Sequence, residues 1–370
     1  AERFALKQSQ AFVDQMEGFA LELEDELMNF SDVSYKSFVK SESEIITLFY
    51  DKFADIPLLS RMDAVAETFI DEIETLLNRD LPEEERIPLI EKFRKMYETM
   101  DFYVLYNRFL KKEGYQTLPR RPLEKRKLRY EDVYPVLYLK YRLSRQAERS
   151  NIKHLVIDEM QDYSRLQYLI IRRMFSCKMT ILGDRAQTMA DQQQDVLQFL
   201  PGIFGKDLRR IEMRKSYRNT VEIASYAANL IGVTDLELFE RHGIPVVERD
   251  VTDLEAALRE AVDTLFPEEK TYETAAVIVP DEKTAERAYL ILREILVEKD
   301  FDCGKRLSWL NRDSSSFKKG LTVTTFYLAK GLEFDQVFSI FPKDEKREIM
   351  MQAQYIAATR ALHELRVYHI

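Results

Sequence analysis

The chain has 370 residues, 45% of them hydrophobic and 32% charged, with 55 Lys and Arg against 64 Asp and Glu. That length provides for two or three domains with an ample core, and the apolar content, including 19 Tyr and 22 Phe, excludes disorder as the dominant state. Two cysteines far apart in sequence, Cys177 and Cys303, exclude a disulfide scaffold and fit a reducing cytosol, and with no run near 18 apolar residues and no export pattern neither membrane insertion nor export is indicated. Only 10 residues are glycine, about 2.7% against an average near 7%, a composition that suits long helices better than phosphate-cradling loops. The chain starts without Met, as expected of a processed or excised piece of something longer.

From Ala1 to about Lys112 the apolar residues recur at helical spacing, as in Phe12, Met16, Phe19, Ala20 and Leu23 and again in Met62, Val65, Phe69, Ile70 and Ile73, which predicts an all-α region. Within it, Pro82 fits a first-turn position and Glu83, Glu84 and Glu85 suit the positive end of a helix. Residues 1–100 carry 23 acidic against 11 basic side chains, a balance of −12, which reads either as a solvated helix surface or as an interaction surface for a basic partner, a DNA-like decoy. Prolines at 119, 122 and 135 break the helical pattern, and residues 111–150 carry a balance of +7. The basic run from Arg120 to Arg129 reads equally as a solvated loop or as a phosphate-contacting patch.

From Asn151 short β-branched runs alternate with amphipathic segments. Buried strands are expected at 154–158, 179–184, 275–280, 321–326, 335–340 and 364–370, helices at 281–298 and 346–363, and a loop at 303–320. Strands alternating with helices imply parallel sheets, whose ligands collect at the carboxyl ends of strands.

The chemistry concentrates at such ends. HLVIDEMQDYS delivers Asp158, Glu159, Gln161 and Asp162 into the turn after a strand, where adjacent carboxylates are costly unless a ligand needs them. Asp158 can supply oxygen to a nucleotide-bound Mg²⁺ and Glu159 can orient or deprotonate an attacking water; a helix N-cap with adjacent acids is the plainer alternative. One crossover later MTILGD is followed by Gln187, a neutral donor and acceptor suited to sensing a γ-phosphate. Tyr217 beside Arg218 can stack on a purine while the guanidinium reaches phosphates. LTVTTFYLAKGLEFDQVF joins two strands through Lys330, Gly331, Leu332 and Glu333, and QYIAATRAL is expected to place Thr359 and Arg360 on the helix before the last strand.

These five segments, in this order across about residues 129–370, resemble the motor motifs of superfamily-one helicases of the UvrD/Rep type, a class of α/β proteins built from two RecA-like lobes of the P-loop NTPase kind. The resemblance implies ATP and Mg²⁺ as cofactors, with Asp158 on the metal, Glu159 as catalytic base and Gln187 coupling the γ-phosphate to movement. It places Tyr217 on adenine, Gly331 and Glu333 on the nucleotide with Glu333 at the ribose, and Thr325 and Tyr327 on the nucleic-acid side. Arg218 and Arg360 would stabilise charge developing on the transferred phosphoryl group.

Departures qualify this. No segment reads GxxxxGK[ST], the nearest being GIFGKD at 202–207, so the chain is expected to begin downstream of the phosphate-binding loop and not to hydrolyse ATP by itself. Thr188, Met189 and Ala190 follow Gln187 where the family shows aromatics, Tyr327 replaces a family His, and only 40 residues separate AVIVP from LTVTT, too few for the accessory domain of UvrD and Rep. With the acidic block these features resemble the HelD branch, helicase-like ATPases that bind bacterial RNA polymerase. The implied layout is an acidic helical insertion at 1–128, the rest of a partial first lobe at 129–205 and a complete second lobe at 206–370. Its implied partners are single-stranded or duplex DNA and RNA polymerase, and its implied location the bacterial cytoplasm. A conventional UvrD-like repair helicase and a non-enzymatic polymerase-binding scaffold are the rival readings.

Overall fold

A computed structural model of the protein describes residues 2–145, 151–184, 187, 196–213, 215–233, 237–299, 306–314, 319–343 and 348–370. These fall into two compact units, residues 1–183 with 193–208 and residues 184–192 with 209–370.

The first unit opens with helices α1 (Glu2–Gln8) and α2 (Gln10–Glu26). The expected all-α stretch is interrupted by an antiparallel hairpin of β1 (Val33–Tyr35) and β2 (Phe38–Lys40), whose turn puts Lys36 at φ 54°. Three-residue strands are too short to leave a period-2 signature, which is why the sequence pattern hides them. Helix α3 (Glu42–Thr47) runs into a π turn at Leu48–Lys52, followed by α4 (Leu58–Leu77), α5 (Glu83–Arg94), α6 (Phe102–Lys112) and α7 (Tyr130–Leu143). The Glu run does fill the first turn of α5, with Pro82 one position earlier than expected, at the N-cap. Pro135 lies inside α7 rather than ending it: near a helix start a proline forfeits few backbone bonds, and Pro135 is buried in the packing of that helix.

Two strands, β3 (His154–Ile157) and β4 (Lys178–Ile181), pair in parallel around helix α8 (Arg165–Met174), with α9 (Val196–Phe204) completing the unit. The strand at 154–158 was expected to be buried, yet Val156 is 60% exposed; β3 has a single hydrogen-bonded neighbour among the described residues, and Ile157 is buried with Tyr168, Val196, Phe199 and Leu200 while Leu155 packs half-buried against the same core. A larger continuous core runs from Phe12 in α2 to Ile170 in α8, so the acidic helices pack as one body with α7 and α8.

The second unit holds a six-stranded parallel sheet in the order β7-β12-β11-β8-β10-β9, made of β7 (Val247–Asp250), β8 (Thr274–Val279), β9 (Leu307–Trp309), β10 (Gly320–Thr325), β11 (Phe334–Phe341) and β12 (Ala361–His369). The protein therefore has a mixed α/β fold with a parallel sheet. Alternate residues of β8 enter opposite cores: Ala275, Val277 and Val279 face α11 (Leu254–Asp263) and α12 (Glu282–Glu298), and Ala276 and Ile278 face α10 (Val221–Ile231) and α13 (Glu348–Ala358). Coverage of both faces explains why β8 reads as a nearly unbroken apolar run and why every residue of β10, its three threonines included, is buried. A further parallel pair, β5 (Lys215–Ser216) with β6 (Glu237–Leu238), lies beside α10 in sequence.

Two expectations change here. The segment 303–320 contributes an edge strand, β9, whose Leu307, Ser308 and Trp309 pair with Leu321, Thr322 and Val323. The last helix ends at Ala358 rather than 363, because β12 starts pairing early, with Ala361 opposite Phe334. Thr359 and Arg360 thus occupy the turn between helix and strand, not the helix. Thr188, Met189, Ala190 and Cys303 lie outside the described residues.

Candidate nucleotide-handling site

In the first unit the strand ladder continues past β3 through a Met160 N–H bond to the Leu182 carbonyl, and the chain then turns sharply. Glu159 takes the left-handed conformation (φ 52°, ψ 53°), costly for a residue with a side chain and sustained by its surroundings. Its N–H donates to Asp158 Oδ1 at 2.8 Å, and its carboxylate accepts from Gln161 Nε2 at 2.5 Å. Gln161 is buried, so it fixes the Glu159 side chain from below, while Asp158 is exposed. Gly183 closes the arrangement: a Cβ there would stand 2.3 Å from Met160 Cγ and 2.7 Å from Met160 N, too close for any other residue. The pair Asp158 and Glu159 is thus presented at the carboxyl end of a strand by a strained turn, and Gln161 is a positioning residue whose role the sequence left open.

The second unit gathers a separate network. Asp184 Oδ2 accepts from Gln187 Nε2 at 2.9 Å and from the Tyr355 hydroxyl at 3.2 Å; Gln187 Oε1 in turn accepts from Arg360 Nη2 at 3.4 Å. Arg360 is 1% exposed and is the largest fully buried side chain among the described residues, with further bonds to the Ile356 carbonyl at 3.2 Å and Thr359 Oγ1 at 3.1 Å. Its burial places the guanidinium inside the turn between α13 and β12 rather than on a solvated surface. Burial, then Asp184, raise the pKa of the Tyr355 phenol well above its usual value, so it stays a donor. Asp184 and Tyr355 had no assigned role; Tyr355, placed on α13 one turn before Thr359, is the signal that was available.

Arg218 and Glu333 form an ion pair, Nε to Oε1 at 2.6 Å, with both side chains nearly half exposed. Asn219 ties the Arg218 turn to the Arg360 turn by donating Nδ2 to the Ala361 carbonyl at 2.7 Å. Tyr217 is 59% exposed, its ring tilted against Phe239 at 5.5 Å and with Lys215 Nζ 5.7 Å from its centre. Gly331 has φ 74°, which suits glycine, in the turn before Glu333. Thr325 is buried at the end of β10 with its hydroxyl unpaired among the described residues, and Tyr327, half-buried, stands with Arg312 5.9 Å from its ring centre.

Behind Tyr217 and Arg218, α10 is capped by Thr220, and the Glu222 carboxylate accepts from Gly243 N at 2.8 Å and meets His242 Nδ1 at 3.0 Å. Partial burial would raise the Glu222 pKa, but its own N–H, Gly243 and His242 outweigh it and pull the group down to about 2. A depressed carboxylate contributes stability present above its unfolded pKa of roughly 4.3 and lost as pH falls through the folded value. The expected outcome is that the stability difference between the protein and Glu222→Gln, followed by urea unfolding, is constant above pH ~5 and shrinks as pH falls toward about 2; a difference independent of pH would remove this role.

The fold and these two clusters define a mixed α/β protein with acidic, amide and guanidinium groups at the ends of parallel strands. Residues 6–189, just under half of the chain, match the family described as UvrD/REP helicase N-terminal domain. Among solved structures, the C-terminal domain of a "possible DNA helicase" from Lactobacillus plantarum WCFS1 is 24% identical, with 42% of this chain and 88% of that one covered and a TM-score of 0.33. The helicase of the arterivirus PRRSV is 14% identical over 72% of this chain and 45% of its own, TM-score 0.34. An arterivirus nonstructural protein 10 helicase, solved with DNA, is 14% identical over 58% and 39%, TM-score 0.30. The chain thus spans less than half of either viral protein. No curated protein matches it. No helix among the described residues is long and apolar enough to cross a membrane.

Proposed function

We propose that the chain supplies the catalytic acids, the γ-phosphate sensor and the arginines of a superfamily-one helicase or translocase, whose phosphate-binding loop lies outside these 370 residues. The observation that carries this reading is the buried Arg360 to Gln187 bond, which joins two motifs 173 residues apart in sequence. A buried guanidinium with an amide partner is poised to meet an incoming anion, a use that a purely structural arginine on a solvated surface does not have. In this reading Glu159 is the base, and Arg218 and Arg360 stabilise developing charge.

The donor set fits Mg²⁺ and ATP. No cluster of three or more ligating side chains occurs among the described residues, and an exposed carboxylate such as Asp158 is what a magnesium ion needs when nucleotide oxygens and waters complete its shell. Tyr217 would stack on adenine, with Gly331 and Glu333 beside the ribose. Bound nucleotide supplies the phosphoryl group; the protein orients water at Glu159 and holds it through Gln161. Thr325 and Tyr327 would sit on the nucleic-acid side, with DNA as the substrate.

The three-part layout at 1–128, 129–205 and 206–370 belongs to this proposal, as does the HelD-like partnership with RNA polymerase in the bacterial cytoplasm. Its support is the acidic helical block, in which Glu83 and Glu84 lie exposed on the first turn of α5. Reversing the charge of Glu83, Glu84 and Glu85 is expected to weaken polymerase binding and flatten its salt dependence; unchanged affinity and salt dependence would sink that partnership. The 370-residue chain by itself is expected to show no ATP turnover, and turnover sensitive to Glu159→Gln would contradict the missing-loop reading.

A further inference from the structure

The basic run from Arg120 to Arg129, which the motor reading leaves without a role, is built into a defined cleft. Residues 113–129 carry no regular element beyond one 3₁₀ turn at Leu123–Lys125, yet the segment is fastened onto α6 at several points. Asn107 bonds both backbone groups of Leu118, accepting from its N at 2.7 Å and donating to its O at 3.3 Å. The Tyr103 hydroxyl donates to the Pro119 carbonyl at 2.7 Å, and Arg126 packs 4.8 Å over the Tyr103 ring centre while its Nη1 reaches Asp101 at 2.5 Å. Burial alone would raise the Asp101 pKa, but the Arg126 guanidinium and the Tyr103 N–H outweigh it and hold the carboxylate charged. The segment is held at Leu118, Pro119 and Arg126, while the rest of the run from Arg120 to Arg129 is exposed to solvent.

The fastening uses Arg126 and leaves Arg121, Lys127 and Arg129 around a cavity of about 150 Å³, whose other walls are Tyr103, Leu118 and Pro119. The three cations are exposed, and none makes an ion pair among the described residues. Of the nearby acids, Asp101 is engaged by Arg126, while Glu124 lies exposed within the run and pairs with none of the three among the described residues. Elsewhere this unit's charge runs the other way, with a balance of −12 over residues 1–100, so the cleft is a local positive site on an acidic body.

We propose that this cleft binds the sugar-phosphate backbone of a single-stranded nucleic acid. Three unpaired cations match phosphates, and a tyrosine edge with an apolar Leu118 and Pro119 wall matches a sugar or base; an acidic peptide would use the cations and leave that wall idle. The site rests on the cleft's own geometry and is independent of ATP hydrolysis by Glu159.

The test is fluorescence anisotropy of the chain with labelled oligo(dT) and oligo(rU) of about 15 nucleotides, without ATP, for three variants. Replacing Arg121, Lys127 and Arg129 with Gln is expected to raise Kd roughly 10- to 100-fold at ~0.1 M salt and to lower the log–log salt slope by about 2, the value for three lost single-strand phosphate contacts. A control triple on the same unit, Lys52→Gln, Arg79→Gln and Lys95→Gln, removes equal charge away from the cleft and should bind within about 2-fold of the unaltered chain. Glu159→Gln should bind as the unaltered chain does, so failure of the catalytic reading would leave this result standing. Loss with either DNA or RNA supports the proposal and identifies which strand it takes. Equal weakening by the two triples, no weakening by the cleft triple in a folded protein, or displacement of the oligonucleotide by polyglutamate at matched charge would overturn it.

Discussion

In the ATP motor proposed above, replacing Arg360 with Ala is expected to lower ATP turnover by about 10³- to 10⁵-fold, the range found when a charge-stabilising arginine is removed from a phosphoryl-transfer site, with little change in KM. The magnitude follows from placement. The guanidinium is enclosed, bonded to Gln187 Oε1, Thr359 Oγ1 and the Ile356 carbonyl, so its orientation is fixed before substrate arrives and no reorganisation is needed when charge develops. Arg360→Lys should not restore activity, because an ammonium cannot span the same acceptors that the planar fork reaches. Stability should also fall, by about 1–3 kcal/mol, as buried acceptors lose their donor; urea unfolding separates that loss from the catalytic one. Turnover within about 10-fold of the unaltered protein would remove Arg360 from the chemistry.

The second large effect is structural. Lys7 on α1 pairs with Asp132 on α7, both buried, and the Tyr106 hydroxyl donates to the same Asp132 oxygen at 2.8 Å. Lys7→Met leaves a buried carboxylate without its counter-charge and is expected to destabilise the first unit by about 3–5 kcal/mol. For a body of this size that is a fall in Tm of roughly 6–20 °C. Adding Asp132→Leu to Lys7→Met should restore most of the loss, since replacing both ions by apolar groups removes the desolvation cost as well as the attraction. Tyr106→Phe should cost less, about 1–2 kcal/mol. A single-variant loss below ~1 kcal/mol would mean that water reaches the pair.

The sequence made the long periodic elements legible. The apolar faces of α2 and α4, the sandwiched strands β8, β10 and β11, and the carboxylates after β3 all follow from spacing and strand-end chemistry. What it hid depends on pairing over distance. The hairpin at Val33–Lys40 and the edge strand at Leu307–Trp309 are too short to show a period, and their existence is settled by partners far along the chain. The end of α13 is set by where β12 meets β11, a tertiary decision with no local stop signal at 359. In the site, Glu159 and Gln187 stand out by motif, whereas the left-handed turn at Glu159, the support from Gln161, and the joining of Tyr355 to Asp184 and Gln187 are facts of geometry. The basic run was ambiguous in sequence because unpaired cations read alike on a loose loop and in a cleft; Asn107 and Tyr103 make the difference, and neither lies in the run.

The proposal that these residues form part of an ATP motor is tested most directly by steady-state Mg²⁺-ATP turnover of the proposed motor, with and without single-stranded DNA, beside its Glu159→Gln variant. The account predicts that Glu159→Gln, which keeps the side chain's shape but removes the base, lowers kcat by about 10²- to 10⁴-fold while ATP still binds. Turnover by the variant equal to that of the unaltered protein would contradict it.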